Sequence, residues 1–141
     1  MILAEPRPPV GVEPLPAVPE VYRALKGRAV SAIVELPMLH AVAAQYVYYS
    51  TFHWLPMVNG YSGALPASYR PIHFAEQRFP DDFSMSTLRA YGVNHVVLHE
   101  EFYGEGEYRD VIARVERRPE LVLVGQSTDG RFECRIYALF H

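Results

Sequence analysis

Val93-Asn-His-Val-Val-Leu-His99 is a short apolar run bounded by Gly92 and a pair of glutamates, the length and composition of a buried strand. Working outward, residues 107–118 place Tyr108, Val111, Ile112 and Val115 at the i, i+3, i+4, i+7 spacing of an amphipathic helix. Leu121-Val-Leu-Val124 then reads as a strand, and Asp129-Gly130 turns it into a last strand over 132–139. Strand, helix and strand in that order predict a parallel crossover, with the terminal strand antiparallel at an edge. The fold expected is α/β, a small Rossmann-like sandwich with a mixed, mainly parallel sheet and a C-terminal antiparallel hairpin.

Toward the N-terminus, Ala29-Val-Ser-Ala-Ile-Val-Glu-Leu36 reads as a further buried strand, stopped by Pro37. Pro19 opens a short helix over 20–26 that Gly27 closes. Residues 67–79 and 84–91 are two more expected helices, separated by Pro80-Asp81-Asp82. Residues 38–66 are expected to be a long irregular connection. Six of the twelve prolines fall within the first nineteen residues, so residues 1–18 read as a proline-rich tether and 19–141 as one α/β domain.

Composition excludes several function classes. Sixteen acidic against thirteen basic residues give a net charge of −3, with no clustered basic run of the kind nucleic acid needs. Glu35 and the prolines break every apolar stretch well short of the ~20 residues that cross a bilayer, and the start lacks the pattern of a secretory signal. The chain therefore reads as soluble. One cysteine, Cys134, provides neither an internal disulfide nor a multi-cysteine metal site. His95 and His99 share a strand face but sit ~13 Å apart along it, too far to hold one metal. No metal, cofactor or catalytic residue is expected. A Ser–His–acid triad could be assembled from Ser50 or Ser62, His53 or His99, and Glu35, but no strand–turn–helix elbow supports it.

The unusual segment is Tyr46-Val-Tyr-Tyr-Ser-Thr-Phe-His-Trp54, followed by Met57-Val-Asn-Gly-Tyr-Ser-Gly63. Flat aromatic faces interleaved with hydroxyls, an amide and an imidazole suit a sugar. They suit equally a buried aromatic loop whose polar tips satisfy backbone groups. Glu35 and His99 end their strands, where ligands of open α/β sheets collect. If the two strands are parallel neighbours, both residues meet the 49–63 segment at one rim. An ionised Glu35 after two apolar residues needs hydrogen bonds or a raised pKa; it either belongs to that ligand-facing rim or accepts backbone N–H bonds from the long connection and holds it in place.

Taken in order, several pieces resemble one family: Val34-Glu-Leu-Pro-Met38, Tyr48-Tyr-Ser-Thr-Phe-His-Trp-Leu-Pro56, Val58-Asn-Gly-Tyr-Ser-Gly63, Pro66-Ala-Ser-Tyr69 and Leu88 through His99. Over residues 18–140 the chain resembles the soluble C-terminal domain of bacterial membrane proteins in the GT-C glycosyltransferase superfamily, which take sugars from polyprenyl-phosphate carriers. In that superfamily the catalytic acid lies between membrane helices, which this chain lacks. The resemblance therefore implies a non-catalytic accessory domain on the extracytoplasmic face of the membrane. Its implied partners are the membrane-embedded part of a parent protein and a sugar acceptor or polyprenyl-phosphate-linked sugar, and not nucleic acid. The expected ligand-facing residues are Glu35, Tyr49, Ser50, Thr51, His53, Trp54, Asn59, Tyr61, Ser62 and His99. The rival readings are a purely structural domain packed on the membrane-embedded part, and a small stand-alone hydrolase or sugar-binding protein.

Overall fold

Two short apolar runs form the buried centre of the sheet: β1 (Ile33–Leu36) and β2 (His95–His99), every residue of which is buried. They pair in parallel, with Glu35 opposite Val97 and Leu36 opposite Leu98. A computed structural model describes residues 11, 14–60 and 67–140 of the chain. The other two strands, β3 (Leu121–Asp129) and β4 (Phe132–Leu139), form the expected antiparallel hairpin around Asp129 and Gly130, whose φ is +65°.

The strand order is β1-β2-β4-β3, with one parallel and two antiparallel pairings. The mixed α/β class is as expected, but parallel pairing does not predominate and the terminal strand is not at the edge. β4 lies between β2 and β3. Burial accounts for the exchange: residues 136–139 of β4 are all buried, whereas Val122 and Leu123 of β3 are each 45% exposed. A strand flanked on both sides takes the more apolar run, and β3, irregular between Leu123 and Gly125, takes the edge.

Side chains alternate across the sheet and build two cores. Val34, Leu36, Val96, Leu98 and Tyr137 face one way, onto Ile72, Met85, Leu88, Val111 and Val115. These come from helices α2 (Tyr69–Glu76), α3 (Asp82–Ala90) and α4 (Glu107–Val115). The start of α3 is fixed by Asp81, whose carboxylate accepts the Ser84 N–H at 2.8 Å, a cap that contributes about 1 kcal/mol. Ile33, Val97, Cys134 and Ile136 face the other way, onto a second cluster. That layer consists of the 3-10 helix Glu20–Leu25 and helix α1 (Ala43–His53).

Helix α1 corrects the sequence reading, which placed an irregular connection here. Ala43, Tyr46 and Tyr49 recur at three-residue intervals on its buried side, while Val47 and Phe52 face outward. Apolar residues on both sides blur the periodicity that marks an amphipathic helix. Strand β1 also begins later than expected. The Asn94 carboxamide accepts the Ser31 N–H and donates to the Ala29 carbonyl, so a side chain takes the hydrogen bonds a ladder would otherwise use. The free edge of β1 is covered by residues 56–58: the Ile33 N–H donates to Pro56 and the Val58 N–H donates to the Ile33 carbonyl.

The 3-10 helix approaches the sheet closely because Gly125 has no side chain. A Cβ there would sit 2.5 Å from the Ala24 Cβ. Val21 N–H also donates to the Ser127 hydroxyl at 3.2 Å, which ties the same turn to β3.

Candidate functional site

Register brings two of the expected residues together. With β1 and β2 parallel, Glu35 and His99 project from the same face of neighbouring strands. The His99 Nε2–H donates to Glu35 Oε2 at 2.5 Å, and the two side chains are 4% and 0% exposed. The second carboxylate oxygen accepts the Tyr22 hydroxyl at 2.8 Å. On the far side of the imidazole, the Cys134 Sγ lies 3.5 Å from Nδ1. Both ring nitrogens are thus engaged, Nε2 with the carboxylate and Nδ1 with the thiol.

Burial keeps the two flanking acids protonated. It raises the Tyr22 hydroxyl well above its ordinary range, and the adjacent Glu35 charge raises it further. Burial, with Glu35 next, also pushes the Cys134 thiol up, so this cysteine is not a thiolate nucleophile. The rings of Tyr46 and Tyr49 close over His99 with centroids 5.0 and 5.9 Å away. Tyr46 is locked by donation to the Pro37 carbonyl at 2.9 Å, and burial raises the Tyr49 hydroxyl to about 12. Glu35 and His99 thus meet on the sheet face beneath the 3-10 helix and α1, sealed under aromatic rings and not at an open rim.

Asn59 contacts the same residue from the other side. Its carboxamide accepts the Glu35 N–H at 2.7 Å and donates to the Glu35 carbonyl at 2.8 Å, so it replaces the neighbour strand that β1 lacks. One of the two sequence readings of Glu35 has its carboxylate accepting backbone N–H groups of the long connection. The attachment is instead the reverse, a side chain of that segment holding the Glu35 backbone.

The remaining expected residues disperse. Ser50 and Thr51 donate to the carbonyls of Val47 and Tyr48 within α1, which leaves their hydroxyl protons committed. His53 Nδ1 accepts the Leu55 N–H at 3.1 Å, and its ring lies 5.0 Å from that of Tyr22. Its Nε2 is buried without a hydrogen-bond partner among the described residues, and burial lowers the pKa of the imidazole. Trp54 caps α1 at φ 53°, the left-handed region that a bulky side chain rarely occupies, and is 82% exposed. Tyr61 and Ser62 lie outside the described residues.

Tyr22 and Cys134 are members of the buried network that the sequence reading missed. Tyr22 sits in a segment read only as a helix start, and no local spacing connects it to Glu35. Cys134 is the register partner of His99 in the antiparallel β2–β4 pairing, which a reading with β4 at the edge could not place.

An open groove of about 570 Å³ runs between the 3-10 helix and the end of α1. Tyr22, Leu25, His53 and Leu55 line it, with Phe52 at one wall. Among the described residues no group of three His, Cys, Asp or Glu converges to hold a metal, and no helix is long and apolar enough to cross a membrane. No protein-family model, curated protein or solved structure matches the chain.

Proposed function

We propose that the chain is a non-catalytic accessory domain of a GT-C-like membrane protein, seated at the extracytoplasmic face, with the outer side of α1 turned toward the membrane. The observation that supports this is how α1 divides its aromatic residues. Tyr46 and Tyr49 seal Glu35 and His99 from solvent, whereas Phe52 is 59% and Trp54 82% exposed. A buried, fully hydrogen-bonded Glu–His pair offers no route for a substrate, which favours an accessory role over a hydrolase based on His99. Hydroxyls spent within α1 favour packing over sugar contact by Ser50 and Thr51. Exposed large aromatics at one end of a helix have the character of a docking surface.

Reading the codons upstream of Met1 in frame tests the proposal. An open frame encoding several long apolar helices is the expected result. A stop codon and ribosome-binding site immediately before Met1 would overturn it.

A further inference from the structure

The groove between the 3-10 helix and the end of α1 combines three features. Its floor is apolar, formed by Tyr22, Leu25 and Leu55. Its rim carries Arg23, Lys26 and Arg28, all exposed, against a single carboxylate, Glu20. Phe52 forms one wall, and Trp54 stands exposed two residues further on.

The rim opposes the charge of the molecule as a whole. The chain carries −3, yet three cations gather at this end. Glu20 is 3.5 Å from Arg23 and offsets only that one. Arg28 uses its Nε on the Ala24 carbonyl, and its terminal nitrogens have no hydrogen-bond partner among the described residues. Lys26 has no ion pair among the described residues.

We propose that this end of the domain docks on an anionic lipid surface: Phe52 and Trp54 enter the interfacial layer, and Arg23, Lys26 and Arg28 meet headgroup phosphates. Tryptophan prefers the water–hydrocarbon boundary, and arginine and lysine lay their stems along apolar surface while keeping the charge in the headgroup region. A bilayer is favoured over a peptide because three exposed cations and the exposed Phe52 border the same groove, so charge and apolar surface are presented together. Each cation near an anionic surface strengthens binding roughly fivefold at moderate ionic strength. The inference rests on the reading above only for the presence of a membrane beside the domain. It adds that the domain contacts lipid itself.

The test is co-sedimentation of the whole chain with vesicles of phosphatidylcholine alone or mixed with phosphatidylglycerol, at low and high salt. Trp54, the only tryptophan, reports insertion through its emission. Binding to the anionic vesicles with a blue shift, lost at high salt, is expected. The triple variant Arg23→Gln, Lys26→Gln, Arg28→Gln should weaken it about a hundredfold. Arg70→Gln, Arg109→Gln, Arg117→Gln, exposed positions elsewhere on the domain, should leave it unchanged. Circular dichroism confirms that both variants fold. No binding, equal binding to neutral vesicles, equal loss in both triple variants, or preference for RNA over vesicles would each overturn the inference. A chain that ignores vesicles while its gene encodes upstream membrane helices overturns only the lipid contact and leaves the accessory role standing.

Discussion

The His99 imidazole donates to the Glu35 carboxylate at 2.5 Å across adjacent parallel strands, with neither side chain more than 4% exposed. Removing two such groups from water is costly, and their attraction offsets that only because Tyr22 and Cys134 complete the shell. Through the Tyr22 hydroxyl, the pair therefore ties the sheet to the layer above it. Deleting one partner strands the other. His99→Ala and Glu35→Ala are each expected to lose about 3–5 kcal/mol of stability in urea denaturation. The double variant should lose clearly less than the two singles together, because no unpaired charge remains. Strict additivity would show that the two do not work as a pair.

Asn59 predicts a local effect of a different kind. Its carboxamide meets both the N–H and the carbonyl of Glu35. Asn59→Ala leaves two buried backbone groups unmatched, at a cost of about 1–3 kcal/mol. Native-state hydrogen exchange should show the Glu35 amide losing protection more than the amide of Val97 on β2. Equal loss across both strands would mean that Asn59 stabilises the whole sheet and not this edge.

How much of this was legible depended on how local each feature is. The α4 face was readable because Tyr108, Val111, Ile112 and Val115 repeat within one element. Glu35 and His99 could be suspected because both close their strands, but their contact depends on parallel pairing, which no local pattern encodes. The order β2-β4-β3 was misjudged because Leu121-Val-Leu-Val124 looks at least as apolar as the stretch ending at Leu139, and only tertiary packing leaves Val122 and Leu123 half in solvent. Helix α1 was hidden by its outward aromatics. The period Ala43, Tyr46, Tyr49 was present, but the apolar Val47 and Phe52 face outward on the same helix and blur the simple amphipathic pattern.

Gly125 allows a sharper structural test. Gly125→Ala would place a methyl group 2.5 Å from the Ala24 Cβ and push the 3-10 helix off β3. Overpacking of this kind costs about 1–3 kcal/mol. Ala24→Gly removes the opposing methyl, so the double variant should recover most of the loss. Failure of that rescue in thermal denaturation would locate the strain elsewhere than at this contact.

Glu76 predicts a pH dependence. Burial raises its carboxyl from the ordinary range to about 7, against a hydrogen bond from the Met38 backbone that lowers it. A folded-state pKa above the unfolded value means that the native protein binds the extra proton between about 4.5 and 7. Stability from this group is therefore fully present below the unfolded pKa and lost as pH rises through the folded one. His73, whose Nδ1 is 3.8 Å from the carboxylate, is the nearest cation when protonated. Relative to Glu76→Gln, the wild-type chain should become steadily less stable from pH 5 to pH 8 in matched urea titrations. A flat difference over that range would show that the carboxyl is not held protonated.

Trp54 sets stability against surface chemistry. A tryptophan at φ 53° occupies backbone space that costs an L-residue roughly 1–2 kcal/mol, and at 82% exposure its ring recovers little through packing. Glycine fits that conformation freely but loosens the unfolded chain, which offsets part of the gain. Trp54→Gly is therefore expected to be neutral or more stable by up to about 1 kcal/mol. A strongly destabilised variant would mean that the ring holds α1 in place. Unchanged or higher stability would leave the exposed ring without a role in folding, and its reason for occupying a strained position would have to lie in what it meets outside the domain.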